Sequence, residues 1–382
     1  MAAAVELPFT IGVEEEFLLV DAATGRVLPA APDMLRLLDG EPAVEAEFMR
    51  YQIETATAVC AGLGQVRADL GRLRALLAVA ADRVGCLPVA SGVMPFAGRT
   101  GSSAVTDRPR YRALAARFPE LVGSAGTCGC HVHIGLPSRE LGIQALSRLR
   151  PWLPQLLAIS ANSPYALGRD TGWASWRHPL WSRWPTARPP EIWADADQYD
   201  ASVRTLVAGG AAIDPRGVHL YARLSPRYPT VEIRITDVCL SVDEAVLLAG
   251  LVRAMVATAV EEFSDGRPAP PVRTEMITAA LTAAARHGLD GPGVDVVAGD
   301  AVPQRDLFER FLAHLRPGLA VTGDGDEVGR LAIGVAVAGT GADRQRALWA
   351  GSATPGEFVR ALAAATVERI SPELLADGDI RS

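Results

Sequence analysis

The sequence contains no lysine, and all 37 of its basic residues are arginine. That absence excludes a lysine Schiff base and a P-loop lysine whatever the fold, so any bound phosphate must be held by guanidinium groups, backbone amides or metal. Long apolar runs are missing too: the best stretch, Leu247–Val260, is short and carries Arg253, so no membrane span is expected. The first residues lack a basic leader followed by an apolar core, which predicts a cytoplasmic protein. Cysteine is scarce, five residues scattered over 382, and fits reduced thiols better than a disulfide framework. No basic run could track a phosphodiester backbone, and the formal charge is −7 with a pI near 5.5, so nucleic acid is not an expected partner.

What is present describes a folded enzyme, with 49% hydrophobic and 21% charged residues and no low-complexity tract. The spacing predicts a strand over Phe9–Val20, a helix over Gln65–Val84, and strands over Leu87–Val93 and Cys130–Leu136. A helix over Glu140–Ile159 should bend or divide at Pro151 and Pro154. The segment from Asn162 to about Asp197 reads as irregular, with Trp173, Trp176, Trp181, Trp184 and Trp193 forming either a binding wall or lid, or an aromatic plug over the core. Val218–Tyr221 and Thr230–Thr236 read as strands flanking the segment Arg223–Arg227. Ser241-Val-Asp-Glu244 is a capping box that opens a helix to about Phe263, and Thr354-Pro-Gly-Glu357 starts a last helix. The fold class is therefore α+β, strand-rich to about residue 240 and helical after it. Met1–Ala4 and Asp377–Ser382 have little to bury and are expected to be loose.

Several apolar strands place paired polar groups on one face. Glu14 and Glu16 lie two apart in Ile11-Gly-Val-Glu-Glu-Glu16, so they point the same way and Glu15 the other. Two like charges side by side are costly unless a cation sits between them, which suggests a divalent metal; a solvated strand face is the alternative. His131 and His133 repeat this geometry, and Glu232 and Arg234 repeat it again, the last pair equally readable as a cross-strand salt bridge. Glu47 and Glu54 are seven apart, on one face in a helix and on opposite faces in a strand, and periodicity alone makes either solvent-facing. Cys128 and Cys130 lack the second pair that a zinc site needs and read as packed thiols. His178, His219, His287 and His314 have no partner pattern and read as surface or loop residues.

Taken together, Ile11–Glu16, Ile53-Glu-Thr-Ala-Thr57, Gly129-Cys-His-Val-His-Ile-Gly135, Ala161-Asn-Ser-Pro-Tyr165, Arg169–Arg177, Trp181-Ser-Arg-Trp-Pro185 and Thr230-Val-Glu-Ile-Arg234 resemble the carboxylate–amine ligase family, the type-two glutamate–cysteine ligases. The resemblance implies a glutamine-synthetase-like ligase fold, in which a curved antiparallel sheet with packed helices forms an active-site funnel. It implies one catalytic domain over residues 1–382, and ATP and Mg²⁺ as cofactors with Mn²⁺ as a substitute. By analogy Glu14, Glu16, Glu54, His131 and Glu232 are metal ligands, and Glu47 stands where relatives have an aspartate ligand. Arg223 and Arg234 would meet phosphate or substrate carboxylate. The implied reaction activates a carboxylate, that of glutamate first among candidates, as an acyl phosphate and condenses it with cysteine or another amine. The Trp173–Trp193 segment is the candidate cover that keeps water out. Two other readings compete: a metal-dependent hydrolase using the His131/His133 pair, and a non-catalytic binding protein on the same fold. The oligomeric state, including a homo-oligomer, is left open.

Overall fold

Ten consecutive residues, Ile11–Val20, form β1, the longest strand, in a computed structural model that describes residues 9–96, 104–123 and 126–367. The two ends expected to be loose, Met1–Ala4 and Asp377–Ser382, lie outside the described residues. Around β1 are β2 (Val44–Ala46), β3 (Gln52–Ala56), β4 (Leu87–Val89), β5 (Cys130–Gly135), and, after a small hairpin of β6 (Tyr165–Ala166) and β7 (Arg169–Asp170), β8 (Ala222–Leu224) and β9 (Thr230–Ile233). Seven of these make one antiparallel sheet in the order β2-β3-β1-β5-β9-β8, with β4 paired to the far end of β1.

The two sides of this sheet differ because strand side chains alternate. Ile11, Val13 and Phe17 of β1, Ile53 of β3, Val132 and Ile134 of β5 and Val231 and Ile233 of β9 share one side and are fully buried. Each contributes about 1.5–3 kcal/mol of transfer free energy. The helices Leu63–Val84, Arg139–Leu149 and Val242–Ser264 cover this side. The other side carries the polar residues. At its far end β1 loses the alternation, since Phe17, Leu18, Leu19 and Val20 are all buried, as in a strand covered on both faces.

Glu15 is the one acid on the helix side. It is fully buried and paired with Arg74, which comes from the Leu63–Val84 helix. Arg74 Nε donates to Glu15 Oε2 at 2.9 Å, and its remaining N–H groups reach the carbonyls of Cys239, Leu240 and Thr366. One guanidinium thus ties β1 to the turn before the Val242–Ser264 helix and to the last helix, Pro355–Val367.

The expected capping box forms: Ser241 N donates to the Glu244 carboxylate at 2.7 Å and Glu244 N to Ser241 Oγ at 3.4 Å. Pro151 and Pro154 divide the expected single helix into Arg139–Leu149 and Leu153–Ser160. Other expectations are corrected. The strand expected at Val218–Tyr221 is Ala222–Leu224, because the tight hairpin with β9 puts Arg223, rather than the loop before it, opposite Glu232. The strand expected at Leu87–Val93 stops at Val89. A two-stranded ribbon, β10 (Pro292–Val294) with β11 (Ala301–Pro303), stands among the later helices, its strands too short for any periodicity to betray. The tryptophan segment is anchored: Trp181, Trp184 and Trp193 are buried, and Trp181 stacks on Tyr221 with ring centres 5.4 Å apart. All five cysteines are buried and free. Among the described residues no helix is long and apolar enough to cross a membrane.

Replacing Arg74 by methionine strands a buried carboxylate and should cost about 3–5 kcal/mol in urea unfolding, and adding Glu15→Leu should recover most of it. A double variant no more stable than Arg74→Met alone would show that the pair is not what holds these elements.

Candidate active site

The polar side of the sheet collects the paired residues of three strands by register. Glu14 of β1 stands opposite His131 of β5, and Glu16 opposite Glu54 of β3. His133 stands opposite Glu232 of β9, and Glu232 opposite Arg223 of β8. Arg234, two residues beyond Glu232, falls on the same side. Glu47 follows β2 directly and is half-buried, and its carboxylate accepts from Tyr111 Oη at 3.1 Å. Glu47 and Glu54 are therefore not solvent-facing: Glu54 sits within a strand and Glu47 just outside its hairpin partner, so the turn between them returns both to one cleft. Glu14, Glu47, Glu54, His133, Glu232 and Arg234 line this cleft of about 360 Å³.

The two histidines are held differently. His131 Nδ1 lies 3.2 Å from Glu14 Oε2, and its Nε2 lies 3.9 Å from Glu16 Oε1. His133 Nδ1 shares a 2.9 Å hydrogen bond with Thr230 Oγ1. Its Nε2 is buried without a hydrogen-bond partner, 3.5 Å from Glu14 Oε1 and 3.9 Å from Glu232 Oε1. Ligand atoms of Glu14, His133 and Glu232 lie within 4.8 Å of one another, a spacing that one cation could bridge. A nitrogen with several carboxylate oxygens suits Mg²⁺ or Mn²⁺, and the orphaned Nε2 is what such an ion would satisfy, so the residues fit the group.

Electrostatics divides the acids into two sets. Burial raises the Glu14 carboxyl, but the imidazoles of His131 and His133 outweigh it and hold it below the usual carboxylate range. Burial likewise opposes Glu232, and the Arg223 and Arg234 guanidiniums bring it well below that range. Glu16 goes the other way, pushed up to about 8 by burial and the Glu47 carboxylate. Glu54 is raised well above normal by burial and by Glu14, Glu47 and Glu16 together. Burial also raises Glu47. His131 falls to about 4, through burial and the charge on Arg234, so it is neutral and able to ligate.

The two expected arginines have different surroundings. Arg223 lines the cleft but is buried, and its nitrogens go to the Glu232 carboxylate at 2.8 and 3.2 Å and to the carbonyls of Arg216 and Val218, so its donors are spent on bracing Glu232. Arg234 also pairs with Glu232 but keeps a buried Nε without a partner.

The profile of glutamate–cysteine ligase family 2 matches residues 10–362. The chain belongs to this family. A protein provisionally named glutamate–cysteine ligase 2-2 in Frankia alni is 42% identical over 357 residues, covering 89% of this chain and 92% of that one. A provisional glutamate–cysteine ligase 2 of Salinispora arenicola is 44% identical over 339 residues, 88% and 89% of the two chains. The fold is also that of the glutamate–cysteine ligase of Francisella tularensis, solved in complex with AMP, with a TM-score of 0.70 at 14% identity over 96% of this chain and 91% of that one. The family member described here is an ATP-dependent carboxylate–amine ligase, and neither a hydrolase built on the His131/His133 pair nor a non-catalytic binder is favoured.

All eight residues expected from the sequence, Glu14, Glu16, Glu47, Glu54, His131, Arg223, Glu232 and Arg234, gather at or beside this one cleft. Sequence reasoning missed His133 as the histidine with the open nitrogen, although its H-x-H spacing was the available signal. It also missed Arg108, Arg110, Tyr111, Arg216 and Arg227 on the cleft wall, which come from loops and a helix start with no periodic pattern. Of the histidines read as surface or loop, His178 is corrected, being buried in a short helix beside Tyr221, whereas His219 lies in a loop and packs against Trp181 and Trp184.

A carboxyl with a raised folded-state pKa binds its proton more tightly when folded. Glu16 therefore contributes stability below pH 4.5 that is lost as the pH rises toward about 8. Metal-free protein should lose thermal stability from pH 5 to pH 8, and millimolar Mg²⁺ should restore it at pH 8. Glu16→Gln should flatten the metal-free profile. A flat wild-type profile would disprove the charge repulsion inferred among Glu16, Glu47 and Glu54.

Proposed function

We propose that this ligase phosphorylates the side-chain carboxylate of glutamate with ATP and condenses the acyl phosphate with cysteine or a related small amine, within a single catalytic domain acting in the cytoplasm. The observation that carries this reading is the cleft itself, where Glu14, Glu47, Glu54, Glu232 and His133, with Glu16 and His131 beside them, stand next to buried guanidiniums in a chain without lysine. Glu14, His133 and Glu232 would hold one Mg²⁺, and Glu16, Glu47 and Glu54 with His131 Nε2 a further ion, Mn²⁺ being a substitute. Such ions supply charge neutralisation on the phosphates of the bound nucleotide.

The residues of the chain do the rest. Glu14 accepts from His131 Nδ1 and so fixes the tautomer that leaves Nε2 open, and the hydrogen bond between Thr230 Oγ1 and His133 Nδ1 sets the orientation of the second ring. Arg223 holds Glu232 in place through two nitrogens. The unpartnered Nε of Arg234 is the donor free to meet the oxygens of the phosphoryl group in transfer. The tryptophan segment supports the site from outside the cleft: Arg177 lies over the Trp181 ring at 4.7 Å, and its Nη1 donates to the Ile235 carbonyl, which braces the strand end that carries Arg234.

ADP release from ATP and Mg²⁺, with glutamate as carboxylate and cysteine among a panel of amines, tests the reading when products are identified by mass spectrometry. Wild-type protein should release ADP together with a condensed product, and Glu54→Ala or Glu232→Ala, folded by circular dichroism, should lower the rate by roughly 10²–10³-fold. Full turnover in both variants would sink the site assignment, and no ATP consumption with any pairing would sink the choice of substrates.

A further inference from the structure

The arginines around the cleft are not equivalent. Arg108 faces Glu45 at 3.7 Å, Arg110 holds Asp214 through two nitrogens at 2.8 and 3.0 Å, and Arg223 and Arg234 share Glu232. Arg216 and Arg227 also line the cleft, both are exposed, and neither makes an ion pair among the described residues. Asp214, the acid beside Arg216 in sequence, is committed to Arg110.

Both free guanidiniums hang from backbone that is held in place. Arg216 lies in the short turn Pro215–Gly217, where Asp214 accepts from Gly217 N at 2.8 Å and the Arg216 carbonyl accepts from Arg223 at 3.0 Å. Arg227 lies at the tip of the β8–β9 hairpin between Pro226 and Pro229, and Ser225 Oγ accepts from the amides of both Arg227 and Tyr228 at 3.3 Å. The Tyr228 ring beside it is half exposed, lies 5.9 Å from the Arg227 guanidinium carbon, and meets the His133 ring edge-on at 6.0 Å. The tip therefore presents a cation and an aromatic face together, one ring away from the acidic floor.

We infer that Arg216 and Arg227 bind the carboxylate of an amino-acid amine substrate, with Tyr228 against its side chain, and so select an amino acid over the corresponding simple amine. The inference rests on the ligase reading above. The free guanidiniums stand at the mouth of the cleft, so an amino acid held there by its carboxylate has its amine directed inward, toward the acyl phosphate that it attacks in its unprotonated form. Planar guanidiniums match a carboxylate through paired N–H donors. The phosphates of the nucleotide belong at the floor, where Arg234 and the metal-ligating carboxylates stand.

The test compares cysteine with cysteamine, and alanine with ethylamine, as amines in glutamate-dependent ADP release by the full-length protein. Wild-type enzyme should prefer the amino acid of a pair by about 10- to 100-fold in kcat/KM, the range expected for a charge-assisted contact, and Arg216→Ala/Arg227→Ala should bring that ratio close to one. Arg227→Lys should retain part of the preference, which separates lost charge from a disturbed hairpin. A ratio preserved in the double variant would overturn the inference, as would a preserved ratio accompanied by a raised KM for ATP, which would assign the pair to the nucleotide. If wild-type protein releases no ADP with any of these amines, the choice of substrates fails and this inference fails with it.

Discussion

The buried pair between Glu15 and Arg74 is the constraint on which the arrangement of this protein depends. A carboxylate at the centre of the longest strand, on the side covered by helices, is tolerated only because a guanidinium meets it and spends its other donors on the carbonyls of Cys239, Leu240 and Thr366. Strand side chains alternate, so fixing Glu15 toward the helices fixes Glu14 and Glu16 toward the cleft. A slip of one residue in β1 would bury two carboxylates among leucines and valines and leave one for the site. The pair thus sets the register of the strand that carries Glu14 and Glu16 to the cleft as well as joining elements distant in the chain.

The cleft is assembled against the usual rules of stability. Glu14 and Glu232 are each compensated by neighbouring imidazoles or guanidiniums, whereas burial raises Glu16, Glu47 and Glu54, with the Glu47 carboxylate adding to it at Glu16 and the carboxylates of Glu14, Glu47 and Glu16 at Glu54. At about 4 Å and an effective dielectric near 20, one like-charge pair costs on the order of 4 kcal/mol. The hydrophobic side of the sheet and three covering helices offset that cost. Local conflict of this sort, in a chain otherwise consistent with its fold, marks a functional cleft rather than a structural one.

The absence of lysine gives the cleft a particular character. Each cation in it is a planar guanidinium with several donors, so one arginine can brace a carboxylate and reach carbonyls as well. Arg223 and Arg74 do this where they are buried, and Arg177 spends its donors on backbone, reaching the Ile235 carbonyl while it lies over the Trp181 ring. Arginine here has a structural role at least as large as its role toward ligands, and the two cannot be separated by composition.

Much of the site was legible in the sequence because it is carried by strands, and a period of two states which residues share a face without knowledge of the fold. Glu14 with Glu16, His131 with His133, and Glu232 with Arg234 were recognisable in this way, and so was the opposite direction of Glu15. The helix starts at Ser241 and Thr354 and the break at Pro151 were equally readable, since capping and proline geometry are local. What the sequence could not determine was which strands are neighbours. Only the register of β1 with β3 and β5, and of β5 with β9, brought the pairs to one cleft, because strand pairing is decided by contacts far apart in the chain. The same holds for Glu47, returned to the cleft by a turn, and for Arg223, which tertiary structure made a brace for Glu232. It holds also for Arg216 and Arg227, which make no ion pair among the described residues because of where every other charge comes to rest.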